Sequence, residues 1–318
     1  MNCIQILRRL VKIPSPSGEE QKIARYIFQI LRKHFTVMKQ KVGNRYNILA
    51  CIGKPRILLT THMDTVTGNI PYKEDKEYIY GRGSCDAKAS IASMICAAIK
   101  AKQQGLKNIG LLFDVSEETC FAGIKQAKKL VRPKLVILGE PTNNKIIAGQ
   151  KGLLGIKIKC KGKTAHGAQP EKGINAIYKL TDLLSRLKTM KFPESTIGKT
   201  TINVGQITGG NAINVVPDYA EATTELRTTT NNTIKQIYKQ IPKKNIEVLY
   251  NYEPVFPKIK NNNIAPYFTE MYFWRKTKAI ILGAGDIKYA HSQNEKIRKN
   301  DVKKAEKLYL RIIRRQNL

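Results

Sequence analysis

The stretch 56–88 constrains this chain more than any other: an apolar run, RILLTT, stops in His62-Met63-Asp64, and a glycine-rich turn then delivers Asp86. An apolar run of this length, bounded by polar residues, reads as a strand inside a covered parallel sheet. Such sheets bind ligands at the carboxyl ends of their strands, and His62 and Asp64 fall at one. Two residues apart on an extended strand end, both side chains project to the same side. A carboxylate so placed can fix the tautomer of the imidazole while the other ring nitrogen meets a metal. In YGRGSCDAKAS, Gly81 and Gly83 permit a tight approach before Asp86, and from Lys88 onward Ile91, Ile95 and Ile99 keep helical spacing. Asp86 therefore stands at a helix entrance, where the ordinary task of an Asp is to cap.

Further apolar runs end in the same way. IGLLFDV (109–115) runs into Ser116-Glu117-Glu118, KLVIL (134–138) into Gly139-Glu140-Pro141, and KAIILGAGD (278–286) into a glycine turn followed by His291. Adjacent Glu117 and Glu118 point in different directions, so one can ligate a metal while the other faces a substrate as acid or base. One acidic dipeptide alone is what a solvated strand end looks like. Three successive βα units that each finish in Asp or Glu are another matter, because an α/β sheet places its ligands there. Of the four histidines, His62, His166 and His291 stand beside such motifs, and His34 reads as a helix-end residue. His62 and His291 with Asp86, Glu118 and Glu140 make a mixed nitrogen and oxygen donor set that suits zinc, with cobalt or manganese as substitutes.

The motifs HMDTV, YGRGSCDAK, SEE, GEPT, KGKTAHGAQPEKGINAI, NAINVVPD and GAGDIKYAH follow one another in this order. In order and approximate spacing the chain resembles, over nearly its full length, the two-zinc aminoacylase and metallopeptidase family. That family includes acetylornithine deacetylase, succinyl-diaminopimelate desuccinylase, lysine-carrier hydrolases and carboxypeptidase G. The resemblance implies that His62 and Glu140 hold one zinc, Glu118 and His291 the other, and that Asp86 bridges them. It implies that Asp64 steadies His62 and that Glu117 is the general base. His166, in an exposed-looking glycine-bounded turn, resembles the family histidine that stabilises the oxyanion. Arg227, closing a strand as Glu-Leu-Arg, resembles the arginine that grips the substrate α-carboxylate, although an ordinary surface strand position also accommodates it. Gly210 and Asn214 belong to a polar loop expected at the substrate.

The order of elements predicts an α/β catalytic domain with a central, mainly parallel sheet, formed by 1–150 and 257–318. Between them, 151–256 reads as βαββαβ, the ferredoxin-like arrangement with both helices on one face. By resemblance this insert is a lid through which the chain forms a homodimer. One departure stands out: the family usually places a helix, a strand and a Gly-Thr-x-Asp loop before the final glycine turn, and 261–281 contains no such motif. Asn300 is the candidate N-cap of the last helix.

A chain of 318 residues that is 42% hydrophobic can build two cores. No stretch approaches a membrane span; Ile4, Leu7, Leu10 and Val11 mark a first packed helix without a signal-peptide core, Pro14 to Ser17 a turn, and Gly18-Glu19-Glu20 the opening of a second helix. Six scattered cysteines lack any disulfide-like spacing, which indicates reduced thiols and a cytoplasmic setting; Cys85 and Cys120 read as small buried residues beside the site. The net charge of +32 invites a nucleic-acid reading. The basic residues are spread along the whole chain, however, and no nucleic-acid module is legible. The functional expectation is hydrolysis of the amide bond of an N-acyl amino acid. The stretches EKGINAIYK and NAINVVPD look most like deacetylases of N-acetylornithine or an N-acylated citrulline in arginine synthesis. The alternatives are desuccinylation of N-succinyl-diaminopimelate or hydrolysis from a lysine-carrier protein, and, in another class, an eroded non-catalytic binding protein.

Overall fold

A computed structural model describes residues 2–260 and 263–317; Asn261 and Asn262, at the head of the shortened segment 261–281, lie outside them. In chain order come α1 (Cys3–Val11), α2 (Gln21–Leu31), β1 (Thr36–Val42), β2 (Arg45–Ile52), β3 (Ile57–His62), β4 (Lys73–Glu74), β5 (Tyr78–Tyr80), α3 (Lys88–Gln103), β6 (Ile109–Asp114), α4 (Ala122–Ala127) and β7 (Leu135–Leu138). Next are β8 (Gly149–Gln150), β9 (Gly152–Lys161), α5 (Ala176–Thr189), β10 (Thr201–Gly209), β11 (Tyr219–Thr228), α6 (Thr233–Gln240) and β12 (Ile246–Tyr252). The chain then adds β13 (Ile264–Ala265), β14 (Lys278–Ile281), β15 (Lys296–Arg298) and α7 (Lys299–Asn317). It divides into two compact units, one of Met1–Ala148, Pro257–Asn263 and Thr269–Leu318, the other of Gly149–Phe256 and Ile264–Phe268.

The first unit is an α/β layer structure on a six-stranded sheet of order β1-β2-β6-β3-β7-β14. β6, β3, β7 and β14 are parallel, and every residue of β3, β6 and β7 is buried. That burial explains the unbroken apolar runs. β1 and β2 form an antiparallel hairpin at one edge, closed by Gly43 at φ +61° and Asn44, residues that suit a tight two-residue turn. The sequence pattern did not announce β1, because TVMKQKV is an edge strand with little buried surface. α3 is buried on nearly every side, since α1, α7, β3 and β6 all pack against it.

The parallel register aligns strand ends: His62 pairs with Asp114, and Ile281 with Leu138. Gly283 is required where the ends of β7 and β14 meet, because a Cβ there would come within 2.4 Å of the Glu140 carbonyl oxygen. Thr142 closes the same corner, its hydroxyl accepting from Gly283 N at 3.0 Å and donating to Gly283 O at 3.2 Å. α7 starts at Lys299 rather than after an Asn300 cap: β15 runs directly into it, and Lys299 N donates to Glu77 O at 2.9 Å.

The second unit has a four-stranded antiparallel sheet of order β10-β11-β9-β12, with α5 packed on β9, β10 and β11. Leu154, Ile156 and Ile158 of β9 and Ala220, Ala222 and Leu226 of β11 form a core with Leu180, Leu187 and Ile237 of the helices. The strict alternation of burial along β11 shows that one face alone is covered. The element order is the expected βαββαβ. α5 begins later than the apolar spacing from Ile174 suggests, because the Asn175 side chain accepts from Ile177 N and Tyr178 N and starts the helix there. Ile174 is left 46% exposed. The segment Ile264–Phe268, which the sequence places in the catalytic domain, clusters with this second unit, where β13 pairs with β8.

All six cysteines are free, and Cys120 is exposed rather than buried. Among the described residues no helix is long and apolar enough to cross a membrane.

Tyr309 is fully buried and donates to Leu282 O at 2.5 Å, fixing the strand end just before Gly283. Tyr309→Phe leaves that carbonyl without its partner and should cost about 1–3 kcal/mol. A fall in the urea midpoint at unchanged m-value is the expected result; an unshifted midpoint contradicts this role.

Candidate metal centre

His62 ends β3, and its ring is held by Asp64 in an unexpected way. Nδ1 donates to the Asp64 main-chain carbonyl at 3.0 Å, while the nearer carboxylate oxygen is 3.6 Å away. The Asp64 carboxylate is occupied elsewhere: it accepts Glu117 N and Glu118 N, each at 3.1 Å, and Ser17 Oγ at 2.5 Å. Asp64 thus steadies the imidazole through its backbone and holds the Ser116-Glu117-Glu118 turn through its side chain. The tautomer that results leaves Nε2 facing Asp86 Oδ1 at 3.2 Å and Glu140 Oε2 at 4.0 Å.

Asp86 is not a helix cap. The cap position of α3 is Ala87, with no side-chain hydrogen bond, and the Asp86 carboxylate reaches instead towards two imidazoles. Its Oδ2 lies 3.4 Å from His291 Nε2, which is also 3.0 Å from Glu118 Oε2. Among the described residues, ligand atoms within 4.8 Å of one another define three groups: His62, Asp86 and Glu140; Asp86, Glu118 and His291; and His62, Glu117 and Glu118. Asp86 belongs to two of these, and Glu117 shares the third with Glu118 and His62.

Such crowding distorts protonation. Burial pushes the Glu117 and Glu140 carboxyls well above the usual range; Glu140 and Glu118 add to the shift at Glu117, and Asp86 and Glu118 at Glu140, while His62 opposes both. Burial alone would lower His62, but its contacts to Asp64 and Asp86 outweigh it and hold the imidazole well above its ordinary value. Hydrogen bonding to Asp86 and then Glu118 raises His291 to about 10. Asp86 is lowered, because the two histidines overcome the effect of its burial. Carboxylates that outnumber imidazoles, with oxygen and nitrogen donors facing one another, are a donor set that fits divalent cations.

The remaining expected site residues lie in the second unit. His166 is exposed; its Nδ1 accepts from Ala168 N at 3.1 Å, which leaves Nε2 protonated and free to donate. A backbone bridge joins it to Val215, and Gly167 N donates to Asn214 O at 2.7 Å, so His166 and Asn214 are neighbours. Gly210, at φ +74°, opens the loop that carries Asn214. Arg227 is half-buried and paired with Glu225 Oε1 at 2.7 Å.

Sequence reasoning missed the groups behind the centre. Glu20, read only as part of a helix opening, accepts Gly18 N at 3.0 Å, Ser116 N at 3.1 Å and Arg45 Nη1 at 3.0 Å. It thereby holds Ser116 at φ +64°, just before Glu117. Asp114 and Glu270 are both buried; burial pushes Asp114 up to about 8 and Glu270 well above its usual range, with Asp114 adding to the shift at Glu270. An acid ending the apolar run of β6 was the one available signal for Asp114.

Comparison with known proteins gives the following. The peptidase dimerisation domain profile matches residues 148–253. A probable carboxypeptidase of Aspergillus flavus is 38% identical over 258 residues, which are 69% of this chain and 62% of that protein. The chain thus spans less than two thirds of that relative. A peptidase M20 domain-containing protein of Schizosaccharomyces pombe is 33% identical over 318 residues, covering 92% of this chain and 80% of that protein. Among solved structures, a tripeptidase from Staphylococcus aureus superposes with a TM-score of 0.83 at 23% identity, covering 99% of this chain and 98% of its own. A Bacillus subtilis protein described as a dinuclear metal binding peptidase superposes with a TM-score of 0.71 at 16% identity, covering 98% of each chain. At these identities the structural matches establish the fold.

In the metal-free protein the contacts to Asp86 and Glu118 keep His291 protonated at pH 7, and those to Asp64 and Asp86 shift His62 in the same direction, so a bound cation must expel protons. Calorimetric titration with Zn²⁺ or Co²⁺ in buffers of different ionisation enthalpy should therefore show net proton release at pH 7. Affinity should climb with pH and level off towards the His291 value of about 10. Proton uptake, or an affinity that falls with rising pH, would contradict this electrostatic picture.

Proposed function

Because this chain belongs to the M20 peptidase family, we propose that it is a metal-dependent hydrolase that cleaves the amide bond preceding a free-carboxylate amino acid. The observation that carries the proposal is the shared placement of Asp86 between His62 with Glu140 and His291 with Glu118. In this reading His62, Asp86 and Glu140 hold one divalent cation, and Asp86, Glu118 and His291 a second. Zinc is the expected ion, with cobalt or manganese as substitutes. When bound, the pair supplies Lewis acidity towards the scissile carbonyl and towards water.

Glu117 is then the group left over for proton transfer. It adjoins His62 and Glu118 without belonging to either group that contains Asp86. Its carboxylate takes a proton from water as the new C–O bond forms, and returns it to the amide nitrogen as the C–N bond breaks. Burial, the largest of the causes that raise this carboxyl, suits it to both halves of that exchange. His166, with Nε2 free to donate, is assigned to the oxyanion, delivered from a second copy of the chain; the match to a peptidase dimerisation domain supports a homodimer. Arg227 is assigned to the substrate carboxylate, which it would bind by leaving Glu225.

The curated relative's description as a probable carboxypeptidase favours small peptides with a free C-terminus. N-acyl amino acids contain the same bond in its shortest form, and N-acetylornithine is one such compound within the proposed class. A panel of dipeptides, C-terminally amidated dipeptides and N-acyl amino acids, assayed with added zinc or cobalt, tests this directly. Substrates with a free carboxylate should be cleaved and their amidated counterparts should not. Glu117→Gln should lower kcat by about 10²–10⁴ while two cations remain bound, and Glu118→Gln should lose a cation. A protein that binds no cation and cleaves nothing in the panel sinks the proposal, and loss of metal from Glu117→Gln alone reverses the two roles.

A further inference from the structure

Glu295 stands four residues after His291, 1% exposed, and takes no part in the donor groups of the centre. Its carboxylate is nonetheless fully used. Oε1 accepts Cys85 N at 3.0 Å and Asp86 N at 3.1 Å; Oε2 accepts Gly83 N at 2.9 Å and Arg82 Nη1 at 3.0 Å. All four donors come from the loop that delivers Asp86, and three are backbone amides.

The same two segments are joined again on either side of this contact. β15 pairs antiparallel with β5, Gly81 N donates to Glu295 O at 3.2 Å, and Arg82 Nη1 donates to Ser292 O at 3.3 Å. Gly83 allows the approach: it sits at φ +81°, and a Cβ would meet Thr65 and Lys88 at 2.8 Å. The stretch carrying His291 therefore grips the stretch carrying Asp86, and the grip passes through one buried carboxylate.

We propose that Glu295 is a positioning residue for the second cation site, holding Asp86 and His291 at the separation at which both meet one ion. This inference rests on the reading of Asp86 and His291 as ligands. It goes beyond that reading by naming what sets their spacing and which of the two sites depends on it. His62 and Glu140 are fixed independently, by β3 and by the corner that follows β7. The site of His62, Asp86 and Glu140 keeps two such anchors if the Asp86 loop shifts. The site of Asp86, Glu118 and His291 has two of its three ligands on the segments that Glu295 joins, so the loss falls there.

Glu295→Gln separates this role from simple support of the fold. Whichever way the amide is turned, its NH₂ faces two N–H donors in place of an acceptor, so one side of the loop is released while side-chain volume is kept. Metal-free wild type and variant are titrated with Co²⁺ by calorimetry and by the visible absorption of the bound ion, together with kcat at low and at saturating Co²⁺. Wild type should bind two ions per chain. The variant should bind the first as wild type does and the second about 10–100-fold more weakly, with activity recovering as Co²⁺ is raised.

Two ions bound with wild-type affinity by Glu295→Gln, or both weakened equally alongside a lowered melting temperature, overturn the positioning role while the reading of the centre stands. Wild type that binds no ion overturns both. Should Glu295→Gln fail to fold, Arg82→Met removes one of the four donors and leaves the backbone bonds. It should weaken the second ion in the same direction and by less, and unchanged binding of that ion would overturn the proposal.

Discussion

Carboxylates that repel one another are brought together at the ends of β3, β6 and β7, and the surrounding structure is organised to hold them there. At a separation of 4 Å and an effective dielectric of about 20, two like charges cost on the order of 4 kcal/mol. That exceeds the net contribution of any single hydrogen bond, about 0.5–1.5 kcal/mol. Glu117, Glu118, Glu140 and Asp86 therefore cannot be kept in place by local contacts alone. What holds them is the parallel register of buried strands, which fixes His62 opposite Asp114 and brings Gly139 N onto Thr60 O at 2.9 Å. Shifting one strand end would require breaking a ladder that lies in the core.

Behind this front row is a second set of acids with a different task. Asp64 takes the amides of Glu117 and Glu118, Glu20 takes those of Gly18 and Ser116, and Glu295 takes those of Gly83, Cys85 and Asp86. In each case a buried carboxylate is stabilised by backbone N–H groups, and each loop gains a fixed path in return. Loops that carry reactive side chains rarely have strand or helix partners for their own amides, and these acids supply them. In a chain whose net charge is +32, the buried acids are thus concentrated at the centre and at the loops around it, Glu20, Asp64, Asp86, Glu140 and Glu295 among them.

Much of this was legible in the amino-acid sequence. The apolar runs of β3, β6, β7 and β14, each ending in polar or acidic residues, point to a covered parallel sheet, and the βαββαβ order marks the second unit. His62, Asp86, Glu117, Glu118, Glu140 and His291 are readable as one group because each follows such a run or the glycine turn beside it. These signals are local. Burial on both faces of a strand imposes its pattern on neighbouring residues, and the pattern can be read without knowing what the strand packs against.

The tertiary structure alone decided the rest. It decided that His62 leans on the carbonyl of Asp64, that Asp64 spends its carboxylate on Glu117 and Glu118, and that Glu270 is buried beside Asp114. It decided that β1 pairs at the edge and that Ile264–Phe268 joins the second unit. The contact of Glu295 with Gly83 spans 212 residues of chain, and nothing in either stretch names the other. The physical reason is the same in each case: a sequence records the burial of its own side chains, whereas which amide meets which carboxylate depends on how distant strands come into register.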